Sequence, residues 1–160
     1  MMLVNTKSAL YGMQAVLPHF KERKRGHVIN VSSMLGRIPL ASFRSMYCAS
    51  KHALNALTAS LRMELRAPFP EIHVSTVSPG VVATEFGLNG RHGGADSRGA
   101  PGAQSAEEVA AVIVDVLDRP RADAYTRSGA REMVAAYYAA EDMGAAEQAP
   151  PFMGMPPRKV

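Results

Sequence analysis

Apolar residues recur at helical spacing from Val4 to about Lys24, with Leu10, Met13, Leu17 and Phe20 on one stripe and Ala9 and Val16 beside it. The spacing predicts a helix over 4–24, with Pro18 as a possible kink and Gly26 as its end. The run His27-Val28-Ile29-Asn30-Val31-Ser32 is β-branched without strict alternation, the pattern of a strand covered on both faces. After a loop marked by Gly36 and Pro39, the stripe Leu54, Leu57, Leu61 and Leu65 predicts a helix over 45–66, which Pro68 and Pro70 stop. A second β-rich run, His73 to Val77, is broken by Pro79-Gly80. Strand, helix and strand in this order make a βαβ unit with a right-handed crossover.

Residues 85–104 are crowded with glycine and read either as a lid or as linker. Ser105-Ala106-Glu107-Glu108 is a capping box opening a helix that buries Val109, Val112, Ile113 and Val116 and ends at Pro120. A last short strand is expected at Ala124-Tyr125-Thr126 and a helix over 131–143. The tail from Ala145 has four prolines and no periodicity, so disorder is expected there. Two regions follow: 1–127 as a partial α/β domain, and 128–160 as a C-terminal helix and tail.

Composition narrows the class. With 160 residues, 47% hydrophobic and 20% charged, the chain suits one globular domain. It has no Trp and only five Phe and five Tyr, so aliphatic side chains must fill the core. The net charge of +4 is scattered, except in Lys21-Glu22-Arg23-Lys24-Arg25. Those cations suit the negative end of the predicted helix better than a nucleic-acid patch. Cys48 is the sole cysteine, which excludes an internal disulfide and fits a reducing compartment. No apolar stretch approaches the ~20 residues of a membrane span, and Asn5, Thr6 and Lys7 interrupt any signal-peptide core. A soluble cytoplasmic protein is expected. The five histidines show no metal-ligand spacing, so no metal site is expected.

The chemistry centres on Tyr47-Cys48-Ala49-Ser50-Lys51. Tyr and Lys at i and i+4 share one helical face, and an adjacent ammonium favours the phenolate. Such a pair can give a proton to a carbonyl oxygen or take one from an alcohol. Taken singly, the surrounding signals are ordinary. Asn5 suits a helix cap, Ser33 a loop cap, Ser32 a strand end and Pro79-Gly80 a turn. Cys48 suits small-residue packing better than a redox role.

Their order is not ordinary. Val4-Asn5 opens the first helix, Val28-Ile29-Asn30-Val31-Ser32-Ser33 ends a strand, Tyr47 and Lys51 follow on a helix, and Pro79-Gly80-Val81-Val82-Ala83-Thr84 ends the next strand. This set resembles the short-chain dehydrogenase/reductase family in its YxxxK form, over about residues 4–120. The resemblance implies NAD or NADP as cofactor and hydride transfer to or from a small carbonyl or alcohol substrate. It implies a catalytic tetrad of Asn5, Ser33, Tyr47 and Lys51. Tyr47 is the expected acid/base and Lys51 its modulator and ribose ligand. Ser33 is the expected holder of the substrate oxygen, and Asn5 holds a water of the proton relay. Tyr47, Lys51, Pro79, Gly80, Val82 and Thr84 are the expected cofactor contacts.

The chain departs from the family in one respect: no TGxxxGxG turn, NNAG strand or dinucleotide-selecting residue lies in it. The expected fold is therefore the C-terminal part of a Rossmann-like, doubly wound parallel sheet. Only strands 5-6-7 with flanking helices would remain, and the N-terminal βαβ units would be missing. The strand at 27–32 would then be an open, apolar edge. Three readings remain open: an oxidoreductase recorded as a truncated chain, inactive or weak alone; a non-catalytic remnant acting as a binding or oligomerisation module; or one half of a split enzyme. Self-association through the helices at 4–24 and 46–66 is expected by the same resemblance. Neither nucleic acid nor membrane is an expected partner.

Overall fold

The computed structural model describes residues 1–89 and 96–152. A π-helical turn, Leu3–Lys7, leads into α1, Ser8–Arg23. Pro18 sits inside α1 without ending it, and the helix closes at Lys24 in the left-handed conformation. β1 (Gly26–Val31), α2 (Ser45–Leu65) and β2 (Ile72–Ser78) follow. Then come α3 (Ala106–Asp118), β3 (Asp123–Tyr125), α4 (Ala130–Tyr138) and α5 (Met143–Glu147). The expected 4–24 helix is thus a π turn plus an α-helix, and the expected 131–143 helix is two shorter ones. The segment from Ala145, expected to lack structure, carries the end of α5 and a turn up to Phe152; residues 153–160 lie outside the described residues.

The three strands form one parallel sheet in the order β1-β2-β3, with Gly26 opposite Ile72 and Val31 opposite Val77. Strand side chains alternate between faces, and the packing follows that alternation. Val28 and Val74 join Leu17, Phe20, Leu61 and Leu65 on the face covered by α1 and α2. Ile29 and Val77 join Val112, Ile113, Val116 and Ala124 on the face covered by α3. Helices on both faces explain why the strands read as continuous apolar runs. The capping box is formed: Glu108 N–H donates to Ser105 Oγ at 3.1 Å, and Ser105 N–H donates to Glu108 Oε2 at 2.6 Å. A third cluster places α4 on the loop after β1, through Met34, Ile38, Ala130 and Tyr137.

Asn30 and Thr58 pair inside the sandwich, while Ser78 Oγ and His27 Nδ1 are buried without a partner. Asn30 Nδ2 donates to Thr58 Oγ1 at 2.9 Å, and that hydroxyl donates to Leu54 O at 2.7 Å. His27 is the exception that titrates. Ser75 Oγ donates to Arg121 O at 2.6 Å, so it accepts from His27 Nε2 at 2.8 Å. The proton of neutral His27 therefore sits on Nε2, and Nδ1 is left buried without a partner. Its register neighbour His73 meets it edge to face at 5.7 Å. Burial, and secondarily His73, hold the His27 pKa below the ordinary 6.5. Neutral His27 is therefore favoured in the folded state. Its contribution is complete above the unfolded pKa of about 6.5 and is lost as pH falls toward the lower folded value. Unfolding measured across pH 5–8 should show stability dropping below about pH 6.5, with a slope of at most one proton, and His27→Gln should flatten that drop.

Candidate active site

The site lies at the C-terminal ends of β1 and β2, where α2 begins. β1 ends in two buried serines. Ser32 N–H donates to Val77 O at 2.7 Å, which carries the strand pairing one residue past β1. Ser33 caps a 3-10 turn, Met34–Gly36, by accepting from Leu35 N–H at 3.2 Å. Accepting that bond leaves the hydroxyl its proton and a second lone pair. Tyr47 lies in the first turns of α2, and the Ser33 side chain bears on its phenol in the direction that favours the phenolate.

Lys51 stands one turn further along. Its Nζ donates to Val31 O at 3.0 Å and lies 5.8 Å from the centroid of the Tyr47 ring. Burial pushes the Tyr47 phenol above its ordinary value, opposed by the Ser33 hydroxyl and by Arg44. Burial likewise holds the Lys51 ammonium below its ordinary value. The ammonium is spent on a strand-end carbonyl, and desolvation is the larger effect on the phenol. At neutral pH Tyr47 is a protonated phenol, the form that can donate.

Asn5 reaches the cluster indirectly. It lies in the π-helical turn, a distortion often found at functional sites. Its Nδ2 donates to Ser50 Oγ at 3.1 Å, and that hydroxyl donates to Tyr47 O at 2.8 Å. Thr6 Oγ1 donates to Ser50 O at 2.9 Å. Ser50, fully buried, thus joins the start of α1 to the turn that carries Tyr47.

The Pro79–Thr84 segment is knitted to the same corner. Pro79 O accepts from Met34 N–H at 2.8 Å. Val82 pairs with Gln104 in an isolated parallel bridge. Thr84 Oγ1 caps the short turn Glu85–Gly87, and the exposed ring of Phe86 on that turn lies 6.0 Å from the Tyr47 ring. Gly80 packs against Arg127. Ser33, Tyr47 and Lys51 are brought together directly, Asn5 through Ser50, and Pro79 through Met34. Cys48 is buried, and burial pushes its thiol up, away from a reactive thiolate.

Sequence reasoning missed the residues that hold the corner closed. Gly36 is pressed between α2 and Ser32. A β-carbon there would lie 2.8 Å from both Lys51 Cβ and Ser32 Oγ. Asn55, one turn after Lys51, donates from Nδ2 to Gly36 O at 2.7 Å. The signal was available, since Asn55 continues the Tyr47–Lys51 face at i+4 spacing.

A family model described as short chain dehydrogenase matches residues 1–93. The chain belongs to the short-chain dehydrogenase/reductase family. It is 40% identical over 116 residues to dehydrogenase/reductase SDR family member 7B of Rattus norvegicus, covering 69% of this chain and 34% of that protein. It thus spans about a third of the length of this curated relative. A short-chain dehydrogenase from Burkholderia cenocepacia, solved in complex with NADP, superposes with a TM-score of 0.72 at 32% identity, covering 91% of this chain and 57% of that one. A family member from Burkholderia phymatum, solved with NAD, superposes with a TM-score of 0.70 at 21% identity, over 86% and 56% of the two chains, a likeness of fold. The architecture is accordingly α/β and Rossmann-like. Among the described residues no helix is long and apolar enough to cross a membrane.

Gly36→Ala should force the 34–36 turn off α2. Overpacking of this kind costs about 1–3 kcal/mol, to be read as lowered thermal stability; Gly12→Ala, inside α1 with nothing within 4 Å, is the comparison of opposite sign and should gain about 0.5–1 kcal/mol.

Proposed function

We propose that this chain supplies the catalytic half of an NAD(P)-dependent oxidoreductase acting on a small carbonyl or alcohol. The observation that carries the reading is Lys51 one helical turn from Tyr47, its Nζ 5.8 Å from the ring centroid and donating to Val31 O, with buried Ser33 just past the end of the same strand. When bound, the nicotinamide would supply or accept a hydride at the substrate carbon.

The residues present fit its nicotinamide end. Tyr47, its ring 6.0 Å from Phe86 on the turn after Thr84, and Lys51, bonded to Val31 O, would border the nicotinamide together with Pro79, Gly80, Val82 and Thr84. Ser33, whose hydroxyl proton is not needed for its bond from Leu35 N–H, would donate to the substrate oxygen and hold it beside Tyr47. Tyr47, a neutral phenol because of its burial, would release its proton to that oxygen as the carbonyl becomes an alcohol. Lys51 would stabilise the phenolate left behind and hydrogen-bond the ribose. Asn5 would order the water that returns the proton, with Ser50 fixing its amide.

The phosphate end is a different matter. No glycine-rich turn joins a strand to a helix in this sequence. The adenosine and pyrophosphate would be held by βαβ units preceding β1, in the same polypeptide or in a partner chain. The open edge of β1 supports this: it is an end strand of the sheet, and Val31 is 44% exposed. On this reading residues 1–127 form the partial cofactor-binding domain and 128–160 an appended helical tail. The exposed Tyr11, Val16 and Met63 on α1 and α2 support self-association through those helices. NAD and NADP are equally compatible with the residues present.

Tyr47→Phe in the protein as its source makes it should lower turnover by about two to four orders of magnitude, while leaving NADH and NADPH binding nearly unchanged. Lys51→Met should weaken both. Steady-state rates with equilibrium binding check this, and retained turnover in Tyr47→Phe would remove Tyr47 from its role.

A further inference from the structure

Arg127 belongs to none of the family motifs, yet it touches the Pro79–Thr84 turn at two places. The turn leaves β2, and the chain returns beside it at Gln104. Ala83 N–H donates to Gln104 O at 2.8 Å, and Gln104 N–H donates to Val81 O at 3.0 Å. Two backbone bonds are a weak neck for so long a loop, because a short ladder is marginal by itself. The end of β3 adds the rest.

Gln104 and Thr126 form a reciprocal pair. Nε2 donates to Thr126 O at 2.8 Å, and Thr126 Oγ1 donates to Oε1 at 2.6 Å. Arg127 Nη2 donates to Val81 O at 3.2 Å and also to Gly102 O, so one amino group ties both sides of the neck. These bonds carry a full charge on the donor, which makes them the stronger kind. Arg127 forms no ion pair among the described residues, so its charge is committed to these carbonyls.

The stem of Arg127 crosses Gly80. A β-carbon at Gly80 would lie 2.5 Å from Arg127 Nε and 2.8 Å from Cδ. Gly80 does not adopt a positive φ, unlike Gly102 at +68°. A side chain at position 80 would thus displace the arginine stem, while the backbone there needs no positive φ.

We propose that Arg127, assisted by Gln104 and Thr126, is a positioning residue that fixes the Pro79–Thr84 turn for the nicotinamide end of the cofactor. This rests on the reading of that turn given under Proposed function. Arg127 touches neither Tyr47 nor Lys51 in the contacts described, so it acts through the turn.

The test is a mutant cycle of Arg127→Ala, Gly80→Ala and the double variant, with Arg127→Lys and Thr126→Val, in the protein as its source makes it. Hydrogen exchange at Ala83 and Gln104 reads the neck, and equilibrium titration with NADH and NADPH reads the site. Losing a charge-assisted hydrogen bond should speed exchange at both amides about tenfold in Arg127→Ala, leaving Val28 and Val74 unchanged. Gly80→Ala should do the same, and the double variant should be no worse than Arg127→Ala. Cofactor binding should weaken about tenfold in Arg127→Ala, recover in part in Arg127→Lys, and weaken less in Thr126→Val. Unchanged exchange, additive effects of the two alanines, or a general rise across β1 and β2 would overturn the clamp. Faster exchange with unchanged cofactor affinity would overturn the positioning role. A wild-type protein that binds neither nucleotide would overturn the reading of the turn, while the exchange data would still decide the clamp.

Discussion

The site depends on how the first turns of α2 are pinned to the end of β1. Lys51 reaches back to Val31 O, Ser32 Oγ donates to Lys51 O at 3.4 Å, and Asn55 holds Gly36 O. Each bond joins the strand end, or the turn after it, to the helix. Gly36 makes the approach possible, since any side chain there would strike Lys51 or Ser32. With strand and helix fixed at this distance, Ser33 at the strand end and Tyr47 at the helix start have little choice but to meet. The parallel pairing of β1 with β2 then brings Pro79 beside the same turn.

The arrangement is polar where the rest of the interior is apolar. On the two faces of the sheet, aliphatic side chains pack between helices; near the strand ends Asn5, Thr6 and Ser50 bond one another, while Ser78 Oγ stays buried without a partner. Buried polar networks of this kind are costly unless complete. Ser50 illustrates completion: its hydroxyl accepts from Asn5 and donates to Tyr47 O, while its carbonyl accepts from Thr6. The same burial that these bonds offset keeps Tyr47 protonated and Lys51 below its ordinary pKa. Structure and proton affinity are thus set by one cause.

Much of this was legible in the chain. The Leu54–Leu65 stripe, the β-branched runs and the capping box at Ser105 marked elements that form within a residue or two of their expected bounds. Apolar periodicity reports burial, and burial is what forms these elements. The Tyr47–Lys51 face was legible because i, i+4 spacing is local. Contacts between distant segments were not. Nothing near Ser50 announces that Asn5 will bond it, and nothing near Gly80 announces Arg127, since each pair is made by the sheet's topology. The burial that pushes the Tyr47 phenol up was not legible either, because desolvation is a property of the packed corner and not of the motif. The break of the last helix at Ala139–Asp142 also went unseen, for its apolar spacing continues across the break.

The most direct test of the central claim is transfer of label. The protein as its source makes it would be incubated with NADH and NADPH deuterated at nicotinamide C4 and a panel of aldehydes and ketones, and the alcohols weighed by mass spectrometry. The account predicts an alcohol one mass unit heavier, carrying deuterium on the former carbonyl carbon. Binding of the nucleotides with no labelled alcohol from any carbonyl, and no reverse transfer from labelled alcohols, would contradict it.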